Sequence, residues 1–92
     1  MKENKLEYLL DFAGVFLPEQ KIKLYIMREG REAEGSKIAY TGTIKGLFDF
    51  VDKYGDIGCY STNVKIMDCL VSEDKTTIYM LGKEMKSNEE VC

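Results

Sequence analysis

The sequence predicts an α+β fold: an N-terminal helix, then strand, strand, helix, strand, strand (ββαββ), with a four-stranded, mainly antiparallel sheet packed with two helices. Three observations carry this prediction. Apolar residues recur at helical spacing in two stretches, they alternate with period two in others, and glycines and short polar runs fall between these stretches. Hairpins on either side of a crossover helix give this layered class, and the pattern leaves open which edges of the two hairpins meet.

The first helix is expected over residues 4 to 14, where Leu6, Leu9, Leu10, Ala13 and Phe16 or Leu17 gather on one stripe. Asn4 can cap it with Glu7 reaching back, Gly14 suits a left-handed stop, and Pro18 prevents a restart. From Lys21 the period becomes two, which predicts a strand. Glu29 to Ser36, rich in charge and glycine, reads as an exposed connection, and Ile38 to Thr41 as the second strand. Ile44, Leu47, Phe48, Val51 and Tyr54 then mark a helix, with Thr43 as its cap and Gly55 as its stop. Asp56 to Thr62 reads as a loop. Val64 to Val71 and Thr76 to Leu81 are the last two strands, joined by Ser72-Glu73-Asp74-Lys75, a connection of the type I turn kind. One domain is expected over residues 1–82, with a polar, frayed tail over 83–92.

Composition narrows the function classes. The chain has 92 residues, 13 Lys and Arg against 16 Asp and Glu, and a net charge of -3, without the positive excess that duplex nucleic acid or an anionic membrane asks for. There is no histidine, so the commonest general base, metal ligand and nucleophile activator is missing. Cys59, Cys69 and Cys92 form no C-x-x-C pair and are odd in number, which points to a reducing cytoplasm and away from zinc or a disulfide framework. Cys69 reads as a small buried hydrophobe, Cys59 as a loop residue after Gly58, and Cys92 as a terminal thiol open to oxidation. Asp49, Asp52 and Asp56 read as a solvated helix face, because no calcium-loop pattern accompanies them, and no glycine-rich phosphate motif occurs. No segment reads as a signal peptide or a membrane span. The expectation is therefore a non-catalytic protein without a cofactor or metal.

What covers each side of the sheet is the functional question. Ile22, Leu24, Ile26, Ile38, Tyr40, Val64, Ile66, Ile78 and Met80 are expected on one side, against Leu47, Phe48 and Val51 of the second helix. Lys23, Tyr25, Met27, Thr41, Lys65, Met67, Cys69, Val71, Tyr79 and Leu81 are expected on the other, a side too apolar to be simply wet. Either the first helix covers it, or both helices share the first side. In the second case Tyr25, Met27, Met67, Tyr79 and Leu81 form an interaction face for another protein or for a homodimer. Two alternatives accompany this reading. Glu29, Glu32, Glu34, Asp49, Asp52 and Asp56 suit an acidic decoy of a nucleic-acid-binding protein, and Tyr25 and Tyr79 with Lys23 and Lys65 suit stacking of a single strand.

The succession GVFLPEQKIKLYIMREG, IAYTGTIKGLFDFV and VKIMDCLVSEDKTTIYML resembles the small accessory α+β proteins encoded by bacterial phages and conjugative elements. In these a short helix leads to a strand, a Y-x-G strand end, a helix and a closing hairpin, and the likeness spans roughly residues 14 to 81. The resemblance implies a bacterial or phage protein that acts by binding. It carries over no catalytic residue.

Overall fold

A computed structural model describes residues 8–58 and 60–85. In chain order they form α1 (Leu9–Ala13), β1 (Lys21–Arg28), a 3-10 turn (Glu32–Glu34), β2 (Lys37–Thr43), α2 (Ile44–Tyr54), β3 (Val64–Val71) and β4 (Thr77–Glu84). The four strands make one sheet in the order β2-β1-β4-β3. Both hairpins are antiparallel, and they meet through β1 and β4, which run parallel from the Lys21/Thr77 pair to the Arg28/Glu84 pair. The sheet is thus mixed, with two antiparallel pairings, as a mainly antiparallel sheet has, and one parallel pairing at its centre. The reason is α2: it returns the chain to the end where β2 began, so β3 runs the same way as β2, and β4 the same way as β1.

One face of the sheet holds the core. Ile22, Leu24, Ile26, Val64, Ile78 and Met80 are buried there with Ile44 and Leu47 of α2 and with Leu9 and Ala13 of α1. At about 1.5 to 3 kcal/mol for each large side chain, this cluster is the main favourable term in folding. The α2 stripe forms as its spacing predicts. The Thr43 hydroxyl accepts from the Gly46 N–H at 3.1 Å, and Gly55 ends the helix in the left-handed region at φ 79°. Gly82, on the core side of β4, leaves room for the buried Val64 side chain, which a Cβ at that position would strike.

Several local expectations change. Tyr8 is extended, with φ -100° and ψ 150°, and pairs with Lys65 of β3, so α1 begins at Leu9 and not at residue 4. The proposed Asn4 and Glu7 cap lies outside the described residues, as do Cys59 and Cys92. Gly14 is right-handed (φ -67°, ψ -13°), because α1 runs on into tight turns, Val15 N–H to Phe12 O and Phe16 N–H to Ala13 O. The loop after α2 supplies two core residues the pattern did not reveal, Ile57 and Tyr60, which pair through their backbones. Strand β4 starts at Thr77 and continues beyond Leu81 to Glu84, so Lys83 and Glu84 belong to the sheet and not to a frayed tail. Glu84 has work there: it meets Arg28 Nε at 3.0 Å and accepts from the Ser61 N–H at 2.7 Å, while the Arg28 guanidinium lies 4.6 Å from the Tyr60 ring centre.

Each edge strand carries one irregularity, and these two reassign the faces. The register slips between Leu24 and Tyr25 on the β2 side, leaving Ala39 as the extra residue, so Ile38 pairs with Tyr25 and is 55% exposed. It therefore lies away from the core, not in it as its alternation with Tyr40 predicts. In β3 the extra residue is Met67: Ile66 pairs with Gly82, Asp68 with Leu81 and Leu70 with Tyr79. Cys69 consequently packs against the core cluster, and Leu70 replaces Cys69 and Val71 on the opposite face. A bulge inserts one residue, and with a side-chain period of two that reverses every assignment beyond it.

Candidate functional site

Both described helices lie on the core side, so no described helix covers the second face of the sheet. The pairings set out its residues in rows across the strands. One row reads Thr41, Lys23, Tyr79, Leu70, and the next Ile38, Tyr25, Leu81, Asp68. A third holds Met27, Lys83 and Lys65, and at the other end Lys21 stands beside Thr77. Of the expected interaction residues, Tyr25, Met27, Tyr79 and Leu81 sit together on the two central strands. Met67 is the unpaired residue of the β3 bulge and is 50% exposed. Ile38 and Leu70, which sequence alternation did not place here, join the face at its two edges. The only signal that could have found them is the bulges, and a bulge leaves no fixed sequence mark.

The middle of this face is a shallow, open hollow of about 270 Å3 bordered by Tyr25, Ser36, Asp68, Leu70, Tyr79 and Leu81. Leu70 is 61% exposed and Tyr79 38%. The Lys23 amine lies 5.8 Å from the Tyr79 ring centre, within cation–π range. One end of the face is closed by the connection between β1 and β2, where Glu32 pairs with Lys83 at 3.0 Å. That ammonium holds the Glu32 carboxyl below its usual range. Lys21, Lys23, Lys65 and Lys83 thus stand on the uncovered side with Asp68 and Glu32, a local surplus of positive charge in an acidic chain.

The other candidate chemistry is dispersed. Burial first, and the Asp68 carboxylate second, push the Cys69 thiol above its ordinary value, which works against a thiolate nucleophile. Among the described residues no group of His, Cys, Asp or Glu is placed to hold a metal ion, and no helix is long and apolar enough to cross a membrane. The acidic set is divided between the β1–β2 connection and α2, with Glu32 on Lys83, Glu34 on Arg31 and Asp49 on Lys45. A second hollow of about 340 Å3, bordered by Phe16, Pro18, Ile44, Lys45 and Phe48, lies at the start of α2. The first N–H groups there are taken by backbone carbonyls, Ile44 N–H by Gln20 and Lys45 N–H by Pro18, which leaves no anion cradle. No family model, no curated protein and no solved structure matches the chain.

Proposed function

We propose that the chain is a small non-catalytic interaction module that works in the cytoplasm and binds another protein, or itself, through the uncovered face of its sheet. The observation that carries this reading is the placing of both helices on one side, which leaves Tyr25, Tyr79 and Leu81 facing outward with exposed Ile38 and Leu70 beside them. Aromatic and aliphatic groups around an open hollow, with charge at the ends of the strands, match the apolar centre and polar rim of a protein interface. No buried side-chain polar atom among the described residues lacks a hydrogen-bond partner within the chain. The buried side chains therefore need no partner molecule for their hydrogen bonds, which supports the reading of this face as available for binding.

Light scattering after size exclusion, combined with Tyr25→Lys and Tyr79→Lys, tests this. Both variants should fold and lose association with any partner, the chain itself included. Unchanged association in both would remove the uncovered face from the interface.

A further inference from the structure

The connection between β1 and β2, residues 29–36, reaches over one end of the uncovered face and is tied to it by a side chain. Lys83 stands on an outward row of β4 where no described helix lies, yet its side chain is only 23% exposed, against 70% for Lys45 in the ion pair on α2. The group above it comes from the connection: the Glu32 carboxylate accepts from the Lys83 ammonium at 3.0 Å, and Ser36 borders the hollow together with Tyr25 and Leu81. Inside the connection the bonds are local. Arg31 N–H donates to Arg28 O, Glu34 N–H to Arg31 O and Gly35 N–H to Glu32 O, and Arg31 Nε pairs with Glu34 at 3.1 Å. The turn Glu32–Glu34 buries no residue, so it is a small folded body that the core does not hold. Two glycines bound it, Gly30 at φ 86° and Gly35 at φ 82° with ψ -178°, the latter a conformation in practice restricted to glycine. A Cβ added at Gly35 would meet no atom, so glycine stands there for its backbone freedom and not for packing.

From this arrangement we propose that residues 30–35 form a hinged strap, latched across one end of the uncovered face by Glu32 on Lys83 and turning about Gly30 and Gly35. Closed, the strap shortens the face at the row of Met27, Lys83 and Lys65; open, it releases Lys83 and lengthens the face toward that end. A segment without buried apolar contacts opens at the low end of a protein's range of local stabilities. An ion pair this exposed shifts such a balance by up to about fivefold. The latch is thus strong enough to bias the strap and too weak to fix it. Its role as a gate rests on the reading of that face as the binding surface; its motion does not.

Backbone amide NMR spectra of the whole chain read the motion without any partner. The signals of Gly30, Gly35, Leu81 and Lys83 should move together as salt is raised from about 10 mM to about 1 M, because screening weakens the latch. Glu32→Gln and Lys83→Met, which each remove one charge of the latch, should place the same signals further along the same line, toward the open position, with the ratio of open to closed raised by up to about fivefold. Gly35→Ala touches neither charge and should shift them in the same direction, because alanine disfavours the closed backbone. Signals that respond only beside each substituted residue, or that ignore salt, overturn the strap and leave the reading of the face as a binding surface in place. A strap that moves as expected, in a chain whose Tyr25→Lys and Tyr79→Lys variants keep all association, overturns its role as a gate together with that reading.

Discussion

The same four strands present two faces, and the two differ in what their apolar residues are for. On the core face Leu24, Ile26, Val64 and Met80 are buried by helices from the same chain. On the uncovered face Tyr25, Leu81 and Tyr79 alternate with core residues along the same strands and are left half-buried or exposed. Alternation in sequence thus describes a strand with two apolar sides, and only the destination of the helices makes one side a core and the other a surface. A short chain has few residues with which to cover both.

The contrast can be broken most strongly at its centre. Leu24→Ala, at a fully buried position, should lower unfolding free energy by about 2 to 5 kcal/mol in urea denaturation, while Leu81→Ala on the opposite side should cost clearly less. Equal losses at the two sites would mean that both faces are core. Next comes Gly82→Ala, which drives a methyl into the buried Val64 side chain and should cost about 1 to 3 kcal/mol. A Val64→Ala change in the same chain should return part of that loss, a coupling that a double-mutant cycle reads directly. Thr43→Ala removes the cap of the helix that covers the core face and should cost about 1 kcal/mol, with no effect on self-association.

The smallest effect lies at the hairpin that carries β4 into both faces. There the Asp74 carboxylate accepts from the Ser72 hydroxyl at 2.7 Å and from the Thr76 hydroxyl and N–H, and these bonds hold it below its ordinary value of 3.8. A carboxyl lowered by folding stabilises the folded state above its ordinary value, and that contribution is lost as pH falls through the lowered one. Amide exchange at Thr76, taken relative to its intrinsic rate at each pH, should therefore quicken as the medium is taken below about pH 4, and Asp74→Asn should show the faster relative rate already at neutral pH. A rate that does not depend on either change would assign the turn's order to its backbone bonds, Ser72 N–H to Thr77 O and Lys75 N–H to Ser72 O.

Much of the fold was legible before any coordinates. The alternation from Lys21 and from Val64 marks strands because period two is a backbone property, and Thr43 and Gly55 bound α2 because caps act within a single turn of helix. The residues Tyr25, Met27, Tyr79 and Leu81 fall on one face for the same local reason. The tertiary structure alone decided the rest. The parallel meeting of β1 and β4 depends on where α2 returns the chain, which no local spacing encodes. Ile38 and Leu70 reached the uncovered face through single-residue slips in pairing, and register belongs to two strands at once. Tyr8 left the first helix for a bridge to Lys65, a partner far along the chain, and Glu84 joined the sheet because Arg28 and Ser61 were there to meet it. Local periodicity determines which side chains share a side; long-range pairing determines which side meets the core and which meets the solvent.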